Sequence, residues 1–235
     1  MDIWEVLHER VTPTAGHGWP EAPALATTVA VALVAVAVPT VWRVVRLAVT
    51  LVHELGHALV GIAVGRRFTG FVLRGDMSGH AVTVGRPRGP GRALSTWSGY
   101  PAPAIAGAGM VWLAARGWSA PLVTAALAVL LVALLRVRSL LTAAVTVAAL
   151  GASAALWWWR DDAVQAQVLI GLGIVLVVGA WRHLAAVVTA GGRGNDPAVL
   201  ADLTHVPAAV WNVTFALVCA AASWVVVAHL VDGPR

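Results

Sequence analysis

The chain has 235 residues, of which 59% are hydrophobic and only 11% charged, and its mean hydropathy is +0.81. Soluble proteins carry about 25% charged residues, so this composition excludes an ordinary water-soluble domain and defines a polytopic membrane protein whose main solvent is lipid. The formal charge of +5 comes from sixteen basic residues, all arginine, spread over several loops with no basic run interleaved with aromatics, which argues against nucleic acid as a partner. A single cysteine, Cys219, excludes an intrachain disulfide and a cysteine-rich zinc module.

Residues 1–23 are polar and turn-rich, slightly acidic, and lack the positive start of a cleavable signal peptide. The first apolar run, Ala24 to Val38, therefore reads as a retained transmembrane helix closed near Pro39. A second run, from about Val44 to Val64, contains His53-Glu54-Leu55-Gly56-His57. Residues four apart share one face of a helix, so His53 and His57 can present two imidazole nitrogens to one metal ion, with Glu54 beside that face. This pattern suits two zinc ligands and the general base of a hydrolase. Ionisable groups in an apolar segment are costly unless they face a protein interior and serve there. The link between the two runs is short, so a single kinked or re-entrant passage is the alternative to two spans; it drops the count to six and moves the N-terminus outside.

From Arg66 to Leu94 the character changes. Short apolar runs, Phe68 to Leu73 and Ala81 to Val84, flank the turn-rich Arg74-Gly75-Asp76-Met77-Ser78-Gly79 and predict a β-hairpin. A hairpin edge beside a hydrolytic centre suits an extended peptide held by strand addition, and Phe71, Val72 and Leu73 are the candidate edge. Asp76 and His80 read as turn and surface residues. The segment Gly85 to Arg92, rich in arginine, glycine and proline, reads as a solvated cytoplasmic loop.

Further helices are predicted at about Thr96 to Ala115, Ala120 to Leu135, Leu140 to Trp158, Val164 to Val188 and Val206 to Leu230. Trp157-Trp158-Trp159-Arg160 has the composition of an interfacial anchor. The fold class expected is all-α and polytopic, with about 6–7 transmembrane helices and a short β-hairpin after the metal-site helix. Residues 24–231 form one membrane-embedded unit and 232–235 a short polar tail. With seven spans and an internal N-terminus, eleven of the sixteen arginines fall on the inner side. That asymmetry predicts a multi-pass plasma-membrane protein with a cytoplasmic N-terminus.

Catalytic zinc usually keeps three protein ligands and one open position. The third could come from Asp76, Asp161, Asp162, Asp196, Asp202 or Asp232, or from His80, His183, His205 or His229. The informative stretch is Gly191 to Thr204, a glycine-rich loop running into a short helix with Asp196 in its first turn and Pro197 at an early helical position. Asp196 and Asp202 are six residues apart and do not share a helix face.

The helix with His53-Glu54-Leu55-Gly56-His57, the following hairpin, Ser98-Gly99-Tyr100-Pro101-Ala102-Pro103 and the segment Asn195 to Trp211 together resemble the site-2 protease type of intramembrane zinc metallopeptidase. More narrowly, they resemble its compact bacterial branch without a PDZ domain. The resemblance implies Zn2+ held by His53, His57 and a later aspartate, with Glu54 as general base. Asp196 is the best positional match for that aspartate and Asp202 the alternative. It implies a membrane-protein or peptide substrate cut within the lipid bilayer, in the manner of regulated intramembrane proteolysis. The other reading is a catalytically inactive relative that serves as a membrane scaffold. The sequence sets no oligomeric state.

Overall fold

Proline and glycine set where most elements begin and end. The computed structural model describes residues 2–14, 18–75, 78–192 and 194–233. In chain order the elements are α1 (Ile3–Val11), α2 (Ala22–Ala37), α3 (Pro39–Ala63), β1 (Arg67–Leu73), β2 (Gly79–Val84), α4 (Pro90–Trp97), α5 (Pro101–Ala114), α6 (Ser119–Leu134), α7 (Leu140–Trp158), α8 (Asp162–Ala190), α9 (Asp196–Thr204) and α10 (Ala208–Asp232). Helices α3, α4 and α5 each open on a proline, whose missing N–H is no loss at that position and whose fixed φ suits it. Val38 alone joins α2 to α3, in the extended conformation that a following proline imposes.

Among the described residues four helices, α3, α7, α8 and α10, are long and apolar enough to cross a membrane, while α2, α5 and α6 are apolar but shorter. The chain is thus mostly helical, with one two-stranded antiparallel sheet among the described residues. Helix α8 is its axle. Ile170, Ile174, Leu176, Val177 and Ala180 pack with Ala32 and Val36 of α2, Trp42 and Val49 of α3, Ala104 and Val111 of α5, and Cys219, Ala222 and Val226 of α10. Lipid offers no hydrophobic drive between helices, so close packing of small residues brings them together. Gly107 of α5 and Gly173 of α8 do this, since a Cβ on either would press into the other's carbonyl oxygen. Gly109 faces open space and plays no such part.

Three expectations change in detail. The N-terminal segment is not all loop, because Asp2 and Glu5 form a capping box that starts α1. The helix predicted from Thr96 to Ala115 is two helices, broken at Ser98, Gly99 and Tyr100. Of the three tryptophans at the end of α7, Trp158 and Trp159 are exposed, but Trp157 turns inward and donates from Nε1 to Thr124 Oγ1 at 3.1 Å.

The hairpin is fastened on both sides. Arg66, just before β1, is buried and donates to Thr83 Oγ1, the Thr83 carbonyl and the Arg86 carbonyl at 3.1, 3.2 and 2.8 Å. Phe71 and Leu73 point into an apolar cluster with Leu51, Leu130 and Ala133, which ties the sheet to α3 and α6. A bulge between Phe68 and Gly70 bends β1, and Gly70, at φ +148°, lets the Arg136–Arg138 backbone and side chain approach.

Gly173→Val should overpack the α5–α8 contact by about 1–3 kcal/mol. At about 2–4 °C per kcal/mol for a chain of this size, the melting temperature in detergent should fall by several degrees, whereas Gly109→Ala should leave it unchanged or slightly raised.

Candidate metal centre

Helix α3 carries Thr50, His53, Glu54 and His57 on its inward side, and three neighbouring elements close around them. His53 Nε2 and His57 Nε2 lie 3.1 Å apart. Asp196 Oδ2 is 3.4 Å from the first and 3.2 Å from the second. Among the described residues these three form the group of side chains able to hold one metal ion. A tetrahedral ion with bonds of about 2.0–2.1 Å needs ligand atoms about 3.3 Å from one another, and the three observed separations meet that requirement.

The orientation of each ligand has a cause. The Ser95 carbonyl lies 2.7 Å from His57 Nδ1. A carbonyl only accepts, so Nδ1 carries the proton and the Nε2 lone pair faces Asp196. Ser95 in turn donates from Oγ to the His57 carbonyl at 3.0 Å, and Ser98 Oγ donates to the Gly56 carbonyl at 3.0 Å, so α4 is fastened to α3 at the centre. Tyr100 packs edge-on against the His53 ring at 4.9 Å and stacks on Phe215 at 5.0 Å. A Cβ on Gly99 would occupy the space directly beside both Nε2 atoms, so residue 99 must be glycine, and Pro101 and Pro103, which lack the N–H of a helical bond, interrupt the helix there.

Asp196 arrives from far along the chain because α9 begins there. Asn195 caps that helix, accepting from the Ala198 N–H at 3.0 Å, and Pro197 occupies its first turn. The N-terminal end of a helix also favours a carboxylate. Burial by itself would raise the Asp196 pKa, but the two imidazoles beside it outweigh that and hold the carboxyl below the usual range.

Glu54 is buried, and its Oε2 has no hydrogen-bond partner among the described residues. The backbone of Gly79, at the start of β2, lies against it so closely that a Cβ there would collide with the carboxyl. All four groups open on one cavity of about 760 Å³ between α3, β2, α4, α8 and α9.

The other candidates lie elsewhere or in other roles. Asp202 is exposed on α9, Asp161 caps α8 through the Val164 N–H, and Asp162 pairs with Arg160 at 2.7 Å. His205 is the left-handed C-cap of α9, His229 donates from Nδ1 to the Val225 carbonyl, and Asp232 ends α10. His80 and His183 line the cavity, the latter with its ring centre 6.2 Å from that of His53. Asp76 lies outside the described residues.

The peptide edge expected at Phe71, Val72 and Leu73 is already covered. Phe71 donates to the Arg136 carbonyl and accepts from the Arg138 N–H, both at 3.1 Å, and the Leu73 N–H donates to Thr142 Oγ1 at 2.8 Å. Directly opposed residues of an antiparallel pair aim their backbone groups the same way, both inward or both outward. Phe71 aims outward, so its partner Ala81 does too, on the far side of the sheet. That far side is the β2 edge, where Ser78 to Thr83 line the cavity. Ser95, Gly79 and Tyr100 were not legible as site residues from spacing, because each acts on the site from another element.

Membrane-length apolar helices packed around a buried histidine–histidine–aspartate group with an adjacent glutamate define a membrane-embedded protein with a candidate metal centre. The family model described as Peptidase M50B-like matches residues 26–226, and the chain belongs to that family, the site-2 protease family of peptidases. No curated protein and no solved structure matches it.

Replacing Asp196 by Ala should weaken metal binding by at least the roughly 10–100-fold lost with outer-shell partners of metal sites. Asp202→Ala should leave it unchanged, with bound metal measured on purified protein by elemental analysis.

Proposed function

We propose that the protein is an intramembrane zinc metalloprotease that hydrolyses peptide bonds in or near the transmembrane segments of other membrane proteins. The observation that carries this reading is the convergence of His53 Nε2, His57 Nε2 and Asp196 Oδ2 beside the buried Glu54 carboxylate, whose Oε2 has no hydrogen-bond partner among the described residues, on the wall of one cavity. When bound, zinc supplies Lewis acidity, which makes water a stronger acid and polarises a substrate carbonyl.

The chain's own residues supply the rest. His53, His57 and Asp196 hold the ion, and Ser95 keeps His57 in the tautomer that binds. Glu54 accepts a proton from the attacking water and returns it to the nitrogen of the departing amine, a transfer of the kind that contributes about 10²–10⁴-fold to rate. Substrate enters as an extended strand along the β2 edge, its backbone pairing with Ala81 and its neighbours. Gly79 leaves room there for the Glu54 carboxyl to reach the water. Strand addition of this kind gives affinity through main-chain hydrogen bonds and needs the transmembrane segment of the substrate to unwind locally.

The topology proposed with this function takes α2, α5, α6, α7, α8 and α10 as six passes, α3 as the re-entrant continuation of α2, residues 24–231 as one unit, and the N-terminus as outside, in place of the cytoplasmic N-terminus expected from seven spans. It is supported by the N-terminal segment meeting the α5–α6 and α7–α8 connections, where the Thr14 N–H donates to the Gly117 carbonyl at 2.8 Å and Arg10 Nη1 to the Trp157 carbonyl at 2.9 Å. The arginine-rich connections, with Arg66 to Arg92 and with Arg136 and Arg138, then share the opposite, cytoplasmic side. A plasma-membrane location is part of the same proposal.

Glu54→Gln should retain zinc and lose cleavage of a reconstituted membrane substrate by about 10²–10⁴-fold, while His57→Ala should lose both. Normal cleavage by Glu54→Gln would remove Glu54 from the reaction. Gly79→Val should retain zinc but lose cleavage, because its side chain displaces the Glu54 carboxyl.

A further inference from the structure

The charges lining the cavity are strongly one-sided. Among the described lining residues the carboxylates are Glu54 and Asp196, both part of the metal centre, whereas Arg46, Arg92, Arg182, His80 and His183 supply cationic or titratable nitrogen beyond it. A cleft of one sign between low-dielectric walls concentrates its field on what enters. Arginines within membrane-length helices are also costly unless they face such a cavity.

Two of the arginines are placed as a subsite. Arg46, Thr50, His53 and His57 recur along one stripe of α3, and all four line the cavity. Arg182 of α8 is held rather than left to snorkel toward the membrane surface. Its guanidinium lies 4.3 Å over the Trp42 ring, and its Nη1 donates to the Val36 carbonyl at 2.6 Å. A guanidinium has five N–H donors, so this clamp leaves others to face the cavity. His183, the next residue, lines the same cavity with its ring centre 6.2 Å from that of His53.

We infer that Arg46 and Arg182 form a specificity subsite for an acidic side chain of the peptide substrate, about three residues from the bond that is cleaved. The register follows from length. Arg46 and His53 are seven residues apart on α3, about 10.5 Å at 1.5 Å per residue, and an extended peptide spans that distance in about three residues at 3.3 Å each. The subsite rests on the protease reading in one respect, that its ligand is the peptide cut in the same cavity. An anionic lipid headgroup offers similar chemistry, but the fixed guanidinium and the continuity with the metal centre favour the peptide.

The test is binding, read separately from cleavage. Fluorescently labelled peptides carrying Asp at two, three or four residues from a central bond are titrated against zinc-loaded Glu54→Gln protein in neutral detergent, each beside its Asn counterpart. At the preferred position the Asp peptide should bind about tenfold tighter, about 1.4 kcal/mol. Added salt should shrink the difference, Arg46→Gln or Arg182→Gln should reduce it, and the double variant should abolish it; Arg182→Lys should keep part of it. Equal binding of every Asp and Asn pair by the unsubstituted arginine cluster overturns the subsite even if the enzyme cleaves both. Loss of the difference when phosphatidylglycerol is added to the micelles also overturns it, and assigns the arginines to lipid. A retained Asp preference without zinc-dependent cleavage by the Glu54 protein overturns the protease reading and leaves the recognition of acidic peptides standing.

Discussion

Two imidazole nitrogens and a carboxylate oxygen, all within 3.4 Å of one another, put more electron density at one point than an apolar helix bundle can hold without a shared positive charge. Much of the structure can be understood as what is needed to keep that point intact. Ser95 settles the tautomer of His57, Tyr100 and Phe215 support His53, and the Asn195 cap starts α9 where it delivers Asp196. None of these groups gains much from its own contacts. Each limits the freedom of a ligand, and a site held to a few tenths of an ångström requires such support.

Access to the same point depends on missing side chains. Gly99 lets the break between α4 and α5 pass directly over the two histidines, and Gly79 lets β2 lie against Glu54. Gly107 and Gly173 bring α5 against α8, which in turn fixes the wall that bears Arg182 and His183. The sheet is small, yet Arg66 on one side and the Arg136–Arg138 segment on the other hold it in place. One edge is closed by the protein itself and the other is left to the cavity. An irregular backbone of this kind is tolerated at membrane depth because it lines a polar cavity rather than lipid.

The electrostatics divide the cavity into a centre that gathers a cation and a wall that repels one. The carboxylates are concentrated at the metal group, and the arginines stand away from it, on α3, α4 and α8. That separation prevents the arginines from neutralising Asp196 and Glu54, which would compete with metal binding and proton transfer. It also gives the cavity polarity along its length, so a bound peptide would meet different potentials on the two sides of its reacting bond.

Local pattern determined the class of the chain: a composition that only lipid tolerates, apolar runs of spanning length, and His53, Glu54 and His57 at helical spacing. The hairpin was legible too, since its turn residues and short apolar runs are contiguous. So was the start of α9, because Asn195 and Pro197 act within one turn. Tertiary structure alone decided which aspartate stands by the histidines, because Asp196 and His53 are separated by 143 positions and spacing carries no information over that distance. It decided which hairpin edge is covered, since the covering segment comes from beyond α6. It also decided that Arg46 and Arg182, from opposite ends of the chain, face one cavity. Sequence specifies which face of a helix is polar because the 3.6-residue repeat is local; what that face meets depends on how the helices pack, and close approach at glycines determines that.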